Sequence, residues 1–323
     1  MPLHVLAIVA GFGLLFVGAD RFVAGAAATA RALGVPTLVI GLVVVGFGTS
    51  APEMLVSATA AWNGEPGLAI GNAIGSNIAN IALVLGATAL LRPLVVHSRV
   101  LRRELPILLA VSALAPALLL DGRLGRLDGG LLMGTLAVLL WGLVGLARRD
   151  AAGEALAQEF AAEIDTGVPL ARALLTLGAG LAVLLAGARL LVWGAVAIAQ
   201  ALGVSDLVIG LTVVAVGTSL PELAASVAGA LKGEADIAIG NVIGSNMFNL
   251  LAVLGLPGLI RPGAVPHEVL ARDYPVMLTL TVVLFLMAGG IGGRGRIGRW
   301  GGAALLAAFA AYQTWLLRAS GHG

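Results

Sequence analysis

The residues of this chain that could do chemistry are few, and they occur twice. Gly48-Thr49-Ser50-Ala51-Pro52-Glu53 is followed by Gly71-Asn72 and then by Ser76, Asn77 and Asn80. Gly217-Thr218-Ser219-Leu220-Pro221-Glu222 is followed by Gly240-Asn241 and then by Ser245, Asn246 and Asn249. The offset is 169 residues throughout, and from Gly34 to Gly86 30 of 53 positions are identical to their partners at that offset. An ungapped self-match of this quality marks a duplicated unit. Both copies offer only oxygen: carboxylates, hydroxyls, side-chain amides and main-chain carbonyls. That donor set suits a hard cation or a proton.

The elements that hold these groups lie in a bilayer. The chain has 323 residues, of which 59% are hydrophobic and 11% charged, and its mean hydropathy is +1.02. Soluble domains carry roughly 25% charged residues, so a water-exposed globule is excluded and a polytopic membrane protein is expected. A net charge of +2 with no long basic run does not point to nucleic acid. The absence of cysteine excludes disulfides, thiolate metal sites and thiol redox chemistry. No nucleophile constellation or phosphate loop is present, so no enzymatic activity is expected. The N-terminal stretch lacks a basic leader and a cleavage site, and reads as a first span.

Spans need roughly 20 apolar residues. Ten are expected, at 3–31, 36–61, 67–90, 101–120, 128–147, 169–201, 205–230, 237–259, 271–290 and 300–317. The domain reading is a first repeat at 1–147, a polar connector at 148–168 and a second repeat at 169–323, with the matched cores at 34–86 and 203–255. Self-similarity continues outside the cores: Gly18 pairs with Gly187, Gly25 with Gly194, Arg103 with Arg272 and Pro106 with Pro275. Twelve Lys and Arg fall in the connectors on one side and five on the other. The positive-inside bias then places both termini outside. Five spans per repeat is an odd number, so the second copy enters the membrane from the opposite side. The expected fold is all-α: ten transmembrane helices in two inverted five-helix repeats, with kinked or broken helices at a central ion site, an arrangement common in secondary transporters.

Glu53 and Glu222 sit inside apolar spans, where a carboxylate costs at least about 2.5 kcal/mol. No Lys or Arg lies within a turn or two of either, which leaves a cation or a proton to offset that cost. Pro52 and Pro221 remove a helix N–H just before each Glu. With Gly48 and Gly217 they predict a broken helix whose carbonyls, near Gly46 and Ala215, face a cavity. Thr49 and Glu53 share a face, as do Asn72, Ser76 and Asn80, and Asn241, Ser245 and Asn249. Ca2+ takes six to eight oxygens and is balanced by two carboxylates, whereas Mg2+ sheds its water less readily. The bland readings are a protonated structural carboxyl, hydroxyls bonding back to the preceding turn, and asparagines tying helices together.

In these motifs the chain resembles the sodium/calcium exchanger branch of the cation/Ca2+ exchanger superfamily, prokaryotic type, whose two α-repeats carry GTSxPE followed by GNxxGSNxxN or GNxxGSNxxD. The resemblance implies an antiporter that exchanges Ca2+ for Na+ by alternating access, in the cell (inner) membrane. It implies ion ligands at Thr49, Ser50, Glu53, Ser76, Asn80, Thr218, Ser219, Glu222, Ser245 and Asn249, carbonyl ligands at Gly46 and Ala215, and support from Pro52, Pro221, Asn72, Asn77, Asn241 and Asn246. It implies no cofactor beyond the transported Ca2+ and Na+, no nucleic acid and no protein partner. The neutral amides at Asn80 and Asn249 argue against K+ co-transport. The H+-coupled branch reads GNxxE where this chain has GTSxPE; H+-coupled divalent-cation antiport is the alternative, and a channel on the same frame a third reading. The connector is too short for a regulatory Ca2+-binding domain.

Overall fold

In the computed structural model the described residues are 2–34, 37–64, 66–95, 101–158, 168–202, 215–289 and 295–320. They form ten helical rods, numbered here as spans 1 to 10: Pro2–Leu33, 37–63, 66–91, Leu101–Leu118, Arg126–Gln158, Leu170–Ala201, 215–232, 235–260, 269–289 and Arg299–Ser320. The expected seventh span, 205–230, begins outside the described residues, which leave out 203–214, and 159–167 of the connector also lies outside them. Span 5 runs on to Gln158 instead of ending at 147. The Ala, Glu, Leu and Gln that follow Asp150 are good helix formers, so polarity there ends the membrane-compatible stretch without ending the helix.

The connectors sort onto two faces. On the first, Arg123-Leu124 pairs antiparallel with Gly263-Ala264, and the Arg261 guanidinium lies over Gly64. On the second, Leu94-Val95 pairs with Arg296-Ile297, Arg92 donates to the carbonyl of Leu231 and Arg31 stands 3.8 Å from Glu234. Span 2 ends on the first face at Gly64 (φ 85°), and span 7 ends on the second at Gly233 (φ 87°). These two left-handed caps are partners at the repeat offset, and they terminate equivalent helices on opposite faces.

The main core lies among spans 3, 4, 8 and 9, where Ile74, Ile78, Leu85, Leu108, Phe248, Leu251 and Leu284 are buried. Tyr274 donates to the carbonyl of Ser112 at 2.6 Å, tying span 9 to span 4. Tyr312 of span 10 donates to Asp273 at 3.0 Å.

Spans 1 and 6 are built differently. They run antiparallel against each other over most of their length. A Cβ at Gly11, Gly18 or Gly25 would strike Leu191, Leu184 or Leu177, and one at Gly180, Gly187 or Gly194 would strike Phe22, Leu15 or His4. Each glycine row has a spacing of seven, two helical turns, so each forms one stripe. Without side chains there, the two backbones come into contact. Away from this seam the helices present Leu3, Phe12, Phe16, Leu174 and Leu175 outward, an apolar surface suited to lipid.

Candidate cation site

The break predicted at the prolines is present. Residues 41–49 and 51–63 of span 2 meet at 48°. Ser50 at the joint has φ −82° and ψ 2°, and Ser219 in span 7 has φ −86° and ψ 2°. In each case the proline occupies the first turn of the following helix, where its missing N–H leaves no ladder bond unmade. The helix ahead of the break is wound more loosely: Gly41–Val45 is π-helical, as are Asn80–Leu85 in span 3 and Asn249–Val253 in span 8. Such turns widen a helix and shift its carbonyl directions, and they recur at functional sites.

Each broken helix packs on the partner helix of the other repeat. Gly244 of span 8 lies so close to Leu42 that a Cβ would strike its carbonyl, and Gly46 meets Ser245 in the same way. The candidate ligands of the two halves therefore interleave. Glu53 and Glu222 are both fully buried and close enough to repel each other. Ser50 donates to Oε1 of Glu222 at 3.2 Å. Thr218 is placed toward Glu53 from the opposite repeat, although neither Glu53 oxygen receives a well-formed hydrogen bond. Thr49 Oγ1 lies 3.3 Å from Ser245 Oγ and 3.0 Å from the Asn241 side-chain oxygen. Thr49, Ser50, Glu53, Thr218, Glu222 and Ser245 are thus brought together directly.

Of the remaining candidates, Ser76, Asn80, Ser219 and Asn249 are all buried. The hydroxyl of Ser219, both amide atoms of Asn80 and Asn249, both oxygens of Glu53 and one of Glu222 have no hydrogen-bond partner among the described residues. Buried polar atoms are rarely left this way. No Lys or Arg bridges either glutamate among the described residues.

The supporting asparagines have a distinct position. Asn72 donates to the carbonyl of Glu53 at 3.1 Å and to Ser57 at 3.1 Å. Asn241 donates to the carbonyl of Glu222 at 3.1 Å and to Ser226 at 2.9 Å. Each amide braces the backbone of the glutamate in its own repeat. Ser57 and Ser226 complete the brace, and nothing in their local sequence singled them out; their identity across the repeat offset was the available signal. Asn77 turns away to Met277 of span 9 at 3.4 Å, and the side-chain amide of Asn246 is buried without a hydrogen-bond partner among the described residues.

One expectation changes in detail. The Gly46 carbonyl is not freed by the break, because it accepts the N–H of Ser50 at 3.1 Å. The proline two residues further on removes a donor to a later carbonyl. Gly46 O still faces the site, since the hydroxyls of Thr49 and Ser245 each lie 3.4 Å from it. Ala215 is the first residue of the matching turn, Ala215–Thr218.

The two faces have unequal access to this centre. A cavity of about 960 Å3 lies between span 6 and the second half of span 2, lined by Leu55, Val56, Leu185, Arg189 and Val192, and it reaches Thr218 and Pro221 at the site. The corresponding space toward the second face is filled. There Phe22, Val23 and Ala26 of span 1 pack with Ala225, and Leu220, Ala224 and Ala228 close against them.

Comparison with known proteins agrees with this architecture. The family model described as sodium/calcium exchanger protein matches residues 3–145 and 172–318. A putative antiporter, CaxA, from Alkalimonas amylolytica is 48% identical over 95% of this chain and 96% of its own length. The sodium/calcium exchanger MaX1 of Methanosarcina acetivorans is 33% identical over 97% of this chain and 98% of its own. A solved structure of the sodium-calcium exchanger NCX_Mj, soaked with Na+ and Sr2+, superposes with a TM-score of 0.82 at 36% identity, covering 96% of this chain and 97% of that one. The ten spans are those of that fold, in two inverted repeats, and the protein is an integral, multi-pass membrane protein. The chain belongs to the sodium/calcium exchanger family.

Proposed function

We propose that the chain is a secondary antiporter, not an enzyme, that exchanges Ca2+ for Na+ by alternating access to one central site, with no resident cofactor. The observation that carries this reading is the meeting of Glu53 and Glu222, one from each inverted repeat, both fully buried and with three of four oxygens unpartnered. One Ca2+ balances two carboxylates, and several Na+ do the same. The ion-free site keeps an uncompensated pair of negative charges. Sliding that pair through the apolar barrier is costly, so the carrier crosses loaded and exchange is enforced over uniport. Asn80 and Asn249, Ser219 and the Gly46 carbonyl add neutral oxygens toward the six to eight that Ca2+ takes.

The cavity on the first face and the sealed packing on the second support an arrangement open to one side. The Lys and Arg bias assigns the first face to the exterior and the second to the cytoplasm of the cell (inner) membrane. In this arrangement the carrier is open outward.

Uptake of radioactive Ca2+ into proteoliposomes, with Na+, H+ and K+ gradients imposed one at a time, tests the reading. Uptake driven by an outward Na+ gradient alone is expected. Uptake driven only by a pH gradient would assign the two glutamates to proton exchange, and flux with no counter-ion would make the protein a channel.

A further inference from the structure

The two repeats match closely at the site but carry opposite charges at equivalent positions of the two long helices that cover it. Arg189, on span 6, lines the cavity that reaches Thr218 and Pro221. Its partner at the repeat offset is Asp20, on span 1. Asp20 lies toward the second face, with its carboxylate 2.6 Å from Lys232, and the partner of Lys232 in the first repeat is the neutral Asn63. No ion pair is formed by Arg189 among the described residues. Arg21, beside Asp20, faces a separate groove lined by Val17, Leu175 and Val183 and does not border the site.

We propose that Arg189 is a specificity-determining residue that weakens cation binding from the first face, and that Asp20 is its counterpart favouring binding from the second. The proposal rests on the antiport reading above. By the inverted symmetry, the route that opens to the second face when the first closes is walled by span 1 as the present cavity is walled by span 6. A cation arriving from the first face meets a fixed positive charge in a mostly apolar cavity. One arriving from the second meets a carboxylate that is paired with Lys232. Clefts with low-dielectric walls focus such fields. The consequence is kinetic sidedness, since fixed charges cannot change the equilibrium exchange ratio. Ca2+ is held less tightly on the first face, which makes that face the side of release. The effect scales with ionic charge, so the factor for Ca2+ is about the square of the factor for one Na+.

The test is exchange in proteoliposomes whose orientation is fixed by a terminal tag, with half-saturating Ca2+ and Na+ measured separately on each face. Arg189→Gln is expected to lower half-saturating Ca2+ on the first face by roughly 3- to 10-fold, and Na+ by about the square root of that factor. The second face is expected to be unchanged. The shift should shrink as choline chloride is raised, because the Debye length falls to about 8 Å at 0.15 M and 3 Å at 1 M. Arg189→Lys keeps the charge and is expected to behave as the unmodified protein, whereas a purely packing role would make Lys and Gln alike. Asp20→Asn is expected to raise half-saturating Ca2+ on the second face. An unchanged value in Arg189→Gln, an equal shift on both faces, or the same shift in Arg189→Lys would overturn the proposal. Absence of Ca2+ exchange in the unmodified protein would instead overturn the antiport reading.

Discussion

The first repeat and the second build the same corner, a serine at a helix break with a proline and a buried glutamate just beyond it, yet they leave it in different surroundings. Glu222 accepts a hydrogen bond from Ser50, while neither oxygen of Glu53 has a well-formed one among the described residues. Beyond the corner on one side lies a cavity walled by span 6. On the other side Phe22 and Val23 of span 1 fill the equivalent space. One sequence pattern, used twice, is thus held in two arrangements at once. The candidate ligands are common to both, and the difference lies in the two long helices that cover them. On the antiport reading, the covers exchange roles around a fixed site.

The largest expected effect comes from removing half of the shared corner. Glu53→Gln and Glu222→Gln are each expected to lower Ca2+ uptake by more than about 100-fold, since removing one partner of a buried charge set costs about 3–5 kcal/mol. In ion-free detergent both variants should melt above the unmodified protein, because a buried uncompensated carboxylate is gone. Added Ca2+ should raise the melting temperature of the unmodified protein only. Full exchange in both variants would remove the glutamates from the site.

Next is the seam between the covers. Gly18→Leu drives a side chain into the backbone of span 6 and should destabilise by roughly 1–3 kcal/mol or more, read as a lowered midpoint in thermal unfolding. Gly13→Leu, on the same helix where a Cβ meets nothing within 4 Å, should be close to neutral. Equal loss in the two would mean that the seam is not what holds these helices.

The chain has no cysteine, so single introduced thiols report without background. Leu55→Cys and Leu185→Cys should react with a membrane-impermeant reagent from the first face, and Val23→Cys and Ala225→Cys from neither. Saturating the protein with transported ions should slow the first pair if closure covers the cavity. The smallest effect separates the two serines. Ser50→Ala, which loses a bond to a carboxylate worth about 1.5–3 kcal/mol, should raise half-saturating Ca2+ more than Ser219→Ala, whose hydroxyl has no partner among the described residues. Identical effects would mean that the asymmetry disappears once an ion binds.

Much of this was legible in the residues. A glutamate inside an apolar run, repeated at a fixed offset, stands out because a bilayer tolerates few such groups, and the prolines marked the breaks because their chemistry is local. What was less legible is what depends on partners distant in sequence. The braces from Ser57 and Ser226 need a helix 15 residues away to give a small serine a role. The π-helical turns at Gly41–Val45, Asn80–Leu85 and Asn249–Val253 have no distinct composition. Gly46 and its carbonyl were placed at the site, but the N–H that this carbonyl accepts is set by backbone winding. The cavity was not visible, because symmetric sequences do not say which of two equivalent routes is shut.

The glycine rows of spans 1 and 6 bear on that last point. Two helices seated backbone to backbone at intervals of two turns have little freedom to part, so a push on one is carried to the other. If span 1 is the lid of one doorway and span 6 of the other, this coupling works as an interlock: unlatching either lid drags its twin shut. On the exchange reading, a leak of the transported ion would then require tearing the seam open, and six hydrogen-sized side chains are what guard against it.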